Sequence, residues 1–141
     1  SYRRMARFTA APINIQWGTD NRTVGIRSPV ASAQARRIEN RVVGADANPY
    51  VALAATLACG YLGIKNKIQP SAERKGDAYL GDHVLPRSLS ESRKSLREDE
   101  ELAEILGEKF ITVYAEVKEI EYAEFMKVIS PWERDHLLLH V

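Results

Sequence analysis

The chain has 141 residues, 45% of them apolar, with 20 Lys+Arg against 19 Asp+Glu and a formal net charge of +1. That is one domain's worth of chain with enough apolar residues for a core, and its overall charge by itself names no class of partner. No apolar run approaches the ~20 residues a bilayer-crossing helix needs, which excludes a helical membrane span.

Residues 1–41 carry eight arginines (Arg3, Arg4, Arg7, Arg22, Arg27, Arg36, Arg37, Arg41) against two acids, Asp20 and Glu39. One part of the surface is therefore built to meet anions. Residues 13–17 read as a strand, 19–21 as a turn, and 23–28 as a second strand closed by Pro29. Residues 30–36 read as a loop and 37–43 as a third strand. Asn48 and Asp46 are good caps, and Pro49 suits a first helical position. They open a helix running to about Ile64 that is apolar on most of its surface and reads as well buried. Cys59, inside it, reads as a buried structural thiol. With no secretory signal in view, the lone cysteine points to a reducing, cytoplasmic compartment.

Residues 65–86 form a long connector, and a loop of that length usually carries function or covers something. Ser88 opens a short helix to about Leu96. Asp99 caps a helix expected to continue to Ile129, with a stripe of Leu102, Ile105, Leu106, Val113, Val117, Ile120 and Phe125, and Pro131 stops it. Leu137, Leu138 and Leu139 in the tail cannot all face inward and are expected to dock elsewhere. Four regions result: strands and loops in 1–45, a buried helix in 46–68, a connector and short helix in 69–98, and C-terminal helices and tail in 99–141. The fold class is α+β, with antiparallel strands near the start and packed helices after them.

The most informative segment is Arg36-Arg37-Ile38-Glu39-Asn40-Arg41. On a strand, Arg37, Glu39 and Arg41 share a face. Two guanidiniums flanking a carboxylate can hold phosphates and a divalent cation, because arginine presents forked donors and a carboxylate is a hard oxygen ligand. A cross-strand ladder of ion pairs on a solvated face explains the same spacing. Arg22 and Arg27, five residues apart, point to opposite faces of a regular strand. They converge only if Arg22 precedes the strand or Gly25 marks a bulge; otherwise both are surface arginines. Ser1-Tyr2-Arg3-Arg4 is a third basic patch. Nucleic acid is not expected there, since the arginines spread over three strands and no RNA- or DNA-binding signature accompanies them. His136 and His140 have helical i, i+4 spacing but no third ligand, and ordinary tail contacts are expected of them.

These segments, in this order, resemble the glutamine synthetase family. Ser1-Tyr2-Arg3-Arg4 resembles its Asn-Ser-Tyr-Lys/Arg-Arg motif without the Asn. Asn21-Arg22-Thr23 through Ile26-Arg27-Ser28-Pro29 resembles Asn-Arg-Ser/Thr…Ile-Arg-Ile-Pro, and Ala35-Arg36-Arg37-Ile38-Glu39-Asn40-Arg41 resembles Ala-Arg-Arg-Ile-Glu-x-Arg. The match continues through Asp46-Ala47-Asn48-Pro49-Tyr50 to Ile68 and is looser beyond. The resemblance implies part of a catalytic barrel in an ATP-dependent ligase that joins the γ-carboxyl of glutamate to ammonia or an amine through a γ-glutamyl phosphate. It implies that Arg4 binds glutamate's carboxylate, Arg22 stabilises the transferring phosphoryl group, and Arg27 and Arg37 face ATP. Glu39 would ligate Mg²⁺ or Mn²⁺, and Arg41 would hold phosphate or substrate. It further implies a homo-oligomer with active sites between subunits. A non-catalytic relative is the rival reading; six charged residues aimed at one place argue against it.

Two departures stand out. The position of the family's flap glutamate, which helps bind ammonium, is Ala10, with no carboxylate near it. This puts ammonia in doubt as acceptor, and Trp17-Gly18-Thr19-Asp20-Asn21-Arg22-Thr23 looks closer to the γ-glutamylpolyamine synthetase branch, whose members ligate amines such as putrescine. The family's other metal ligands and its ATP-binding segments would lie upstream of Ser1. The chain is therefore expected to be the last third of such an enzyme, and inert alone.

Overall fold

The computed structural model describes residues 2–138. Three short strands, β1 (Trp17–Thr19), β2 (Ile26–Ser28) and β3 (Glu39–Asn40), form one sheet in that order. Five helices follow: α1 (Pro49–Lys65), α2 (Leu89–Glu98), α3 (Glu100–Leu106), α4 (Glu108–Met126) and α5 (Pro131–Leu137). The α+β expectation holds. The strands are shorter than expected, the first lies at 17–19 instead of 13–17, and one pairing differs. β2 and β3 run antiparallel, but β1 and β2 run parallel, Trp17 opposite Ile26 and Thr19 opposite Ser28. Residues 20–25 loop back to the start of β1, helped by Asp20 at φ 52°, so the chain re-enters the sheet in its original direction. The loop 30–36 contains a 3₁₀ turn at Ala33–Ala35.

The core beneath the sheet joins the segment before β1 to the long connector. Ala11, Ile13, Val24, Ala78 and Tyr79 are buried together with the polar Asn14. Asn14 is satisfied there, since its Nδ2 donates to Ala78 O at 2.9 Å. The connector is tied down along its length. Trp17 Nε1 donates to Ser71 O at 2.7 Å, Arg74 N to Trp17 O at 2.8 Å, and Val84 N to Ile13 O at 2.9 Å. A 3₁₀ turn at Ala78–Leu80, capped by Asp77, interrupts this strap before Val84. The connector is thus a covering element, as its length suggested.

α1 begins as expected. Asn48 accepts hydrogen bonds from Tyr50 N and Val51 N, and Pro49 occupies the first turn. Its burial does not follow. Among its residues only Ala58 and Leu62 are buried, while Leu53, Leu57, Tyr61 and Ile64 remain exposed. A helix apolar all round needs cover on several sides, and here α3 is the element packed on it. Cys59 is likewise exposed rather than buried. The single long helix expected after Asp99 is two helices, because Gly107 at φ 93° breaks the run. The break resets the helical phase: α4 buries Ile111 and Ala115, and Val113, Val117, Ile120 and Phe125 face outward. A second core forms where Ala58 and Leu62 lie with Leu102, Ile111 and Ala115. Arg93–Glu119 and Arg97–Glu116 ion pairs tie α2 to α4.

Ser130 and Glu133 form a reciprocal capping box that starts α5 where Pro131 had marked a stop. His136 stacks on Trp132 at 4.8 Å and pairs with its carbonyl, an ordinary contact as expected. Leu137 and Leu138 are exposed; Leu139, His140 and Ser1 lie outside the described residues. No helix among the described residues is long and apolar enough to cross a membrane.

Candidate active site

Gly25 decides the geometry of the site. Its N–H and that of Ile26 both donate to Gln16 O, at 2.9 and 3.2 Å. Two donors on one carbonyl mark a bulge immediately before β2. A Cβ at position 25 would sit 2.7 Å from Asn14 O, so only glycine allows this approach. The extra residue re-aims the chain, and Arg22 and Arg27 line one cleft of about 470 Å³ together with Arg41 and Thr23. β2 starts only at Ile26, so Arg22 lies before the strand, and Gly25 forms a bulge; both conditions for convergence of the five-residue spacing are met.

β2–β3 register places Arg27 opposite Glu39. Arg27 Nη1 donates to both carboxylate oxygens, at 3.0 and 2.8 Å, and Nη2 pairs with Asp20. The hydrogen bond from Arg27 holds the Glu39 carboxyl below its ordinary value, with Arg37 and Arg41 adding to the effect. Glu39, then Asp20, push the Arg27 guanidinium upward in turn. Arg41 Nη2 donates to Ala10 O at 2.9 Å, which fixes the loop carrying Ala10 against the basic cluster.

Arg4 and Arg37 stand apart from the cleft. Arg4 donates to the carbonyls of Arg41 and Val42, bracing the chain as it leaves β3. Arg37 is mostly exposed, 3.7 Å from Glu39, and donates to Ala35 O. The shared face of Arg37, Glu39 and Arg41 therefore resolves into a mixed arrangement, part ion-pair ladder and part cleft wall.

Three lining residues were not among the sequence candidates: Phe8, Tyr79 and Thr23. Tyr79 arrives from the connector, 52 residues beyond Arg27, and its hydroxyl donates to Ala11 O at 3.0 Å. Phe8 meets it with ring centroids 5.4 Å apart. Phe8 and Ala10 have φ of 64° and 62°. Left-handed backbone at two non-glycine residues stores strain of a kind that clusters at functional loops.

Arg27 Nε and Arg41 Nε are buried without a hydrogen-bond partner. Among the described residues no group of three or more His, Cys, Asp or Glu could hold a metal, and both Glu39 oxygens are engaged by Arg27. The described residues do not by themselves make a metal site, since such a cation takes six or more oxygen ligands.

The profile of the glutamine synthetase catalytic domain matches residues 1–137. The chain belongs to the glutamine synthetase family. It is 39% identical over 137 residues to a glutamate–isopropylamine ligase of Pseudomonas sp., covering 94% of this chain and 30% of that protein. It is 38% identical over 144 residues to type-1 glutamine synthetase 2 of Dictyostelium discoideum, covering 98% and 27%. A solved GmaS–ADP complex superposes with a TM-score of 0.78 at 32% identity, over 92% of this chain and 30% of that one. The chain spans under a third of the length of these relatives.

Proposed function

We propose that the protein carrying this chain is an ATP-dependent ligase that joins the γ-carboxyl of glutamate to an amine. The convergence of Arg22, Arg27 and Arg41 on one cleft supports this reading. Phosphoryl transfer is governed by positioning and by neutralisation of negative charge. An oxygen of the γ-carboxylate attacks the terminal phosphorus of ATP, and ADP departs. The amine nitrogen then attacks the γ-carbonyl carbon, the bond to the phosphoryl oxygen breaks, and inorganic phosphate leaves.

In this reading Arg22 faces the phosphoryl group in transfer, while Arg27 and Arg41 hold phosphate oxygens. Glu39 and Asp20 keep Arg27 extended and charged. Arg37 reaches ATP from the solvent side, and Arg4, whose guanidinium rests on the carbonyls of Arg41 and Val42 in this chain, turns to glutamate's carboxylate in the complete protein. A divalent cation would draw on Glu39 together with ligands beyond this chain. We infer further that the complete protein is a cytoplasmic homo-oligomer with sites shared between subunits. The apolar side chains left uncovered on α1 support association.

ATP-dependent phosphate release by the full-length gene product tests the reading, with glutamate, Mg²⁺ or Mn²⁺, and ammonia or single amines in turn. Release that requires both glutamate and an amine is expected. Folded protein silent with every acceptor overturns it.

A further inference from the structure

The cleft has two chemistries. Arg22, Arg27 and Arg41 make one part cationic, and Phe8, Ala10 and the Tyr79 ring make the other apolar. No carboxylate is among the residues lining it; Glu39 and Asp20 are turned to Arg27 instead. The apolar part is a built feature. Tyr79 is buried and anchored to Ala11 O at 3.0 Å, the Ala78 carbonyl and N–H next to it are held by Asn14 and Thr23, and Phe8 is presented by a left-handed backbone. Phe8 touches the Tyr79 ring on one side and is left 73% exposed at the edge of a charged cleft.

Resting on the ligase reading above, we propose that Phe8 and Tyr79 form the wall that reads the acceptor's alkyl group, so that the acceptor is a primary amine bearing a short uncharged alkyl chain. The charge pattern selects against a diamine. The amine must attack as the neutral species, and a cluster of guanidiniums favours loss of its proton to solvent. A second ammonium on the same molecule would keep its charge beside that cluster, with no carboxylate lining the cleft to offset it. An alkyl group loses nothing there and is taken out of water against the rings of Phe8 and Tyr79. Ammonia makes no use of the wall.

The test uses the full-length protein and phosphate release with methylamine, isopropylamine, butylamine, putrescine and ammonia. In the parent protein kcat/KM rises from methylamine to isopropylamine, and butylamine exceeds putrescine. Phe8→Ala lowers the isopropylamine-to-methylamine ratio of kcat/KM about tenfold, the size of effect that a lost apolar contact in a pocket produces. The change falls in KM for the amine, and Phe8→Leu restores most of it. A folded Phe8→Ala with an unchanged ratio overturns the wall. So does a parent protein that prefers putrescine, or one that releases phosphate with ammonia and no alkylamine; both outcomes leave the ligase reading standing. If Phe8→Ala does not fold, the parent alkylamine series decides, and a flat or falling series overturns the proposal. Silence with every amine overturns the ligase reading itself and the wall with it.

Discussion

Arg27 and Glu39 face each other across β2 and β3, with Nη1 of the arginine 3.0 and 2.8 Å from the two carboxylate oxygens. The pair joins the strand that follows the Gly25 bulge to the strand that leads into Arg41. It holds a cationic side chain, 15% exposed, at the cleft without leaving its charge unbalanced.

The pair sets a pH dependence. The Glu39 carboxyl lies below its ordinary 4.5, first because of the hydrogen bond from Arg27. A lowered carboxylate contributes stability at neutral pH that is lost as pH falls through its folded-state value. The melting-temperature difference between the full-length parent and Glu39→Gln should be largest near neutrality and shrink as pH drops below 4.5. A difference that grows on acidification contradicts the pairing.

Arg22→Ala in the full-length enzyme should cost on the order of 3 kcal/mol in transition-state stabilisation, as loss of one preorganised donor does. Steady-state kcat/KM reads this as a drop of about a hundredfold. The melting temperature should hardly change. Unaltered turnover would remove Arg22 from the chemistry.

Gly25→Ala pushes a Cβ to 2.7 Å from Asn14 O and 3.4 Å from Ile15 Cα, both backbone atoms that cannot swing aside. Destabilisation of about 2 kcal/mol is expected from overpacking, together with lower activity as Arg22 and Arg27 lose their shared aim. Denaturant unfolding and phosphate release measure the two effects, and a variant with parental stability would disprove the tight approach.

Ala10→Gly works in the opposite direction. At φ 62° alanine pays the left-handed penalty that glycine avoids. Part of the gain is offset by the freer unfolded chain. A net stabilisation of about 0.5–1 kcal/mol should appear as a higher denaturant midpoint. A lower midpoint would show that the loop is not strained at this residue.

Local signals carried the helical half of the molecule well. Asn48 with Pro49 and Ser88 mark helix starts through the backbone N–H groups they satisfy or leave out, and those contacts lie within four residues. The apolar stripe was read straight through Gly107, where the structure breaks the helix. The phase of α4 changed with the break, and so did which of its residues are buried. The burial of α1 was misjudged because composition reports what a helix needs, whereas cover depends on which segments are present.

For the site, the residue types of Arg22, Arg27, Glu39 and Arg41 suggested anion-facing chemistry, because guanidinium and carboxylate chemistry belongs to the side chain itself, but their spacing fitted an ion-pair ladder or surface arginines as well. The sequence by itself determined the α+β class, the helix starts, the basic first third and the missing carboxylate at position 10. Only the tertiary structure decided that Arg22, in the turn before β2, and Arg27, after the Gly25 bulge, share one cleft, that Arg4 and Arg37 stand outside it, and that Tyr79 enters it from the connector. Convergence is a property of packing. Tyr79 reaches Ala11 across 68 positions of chain, and no local periodicity encodes a contact of that range.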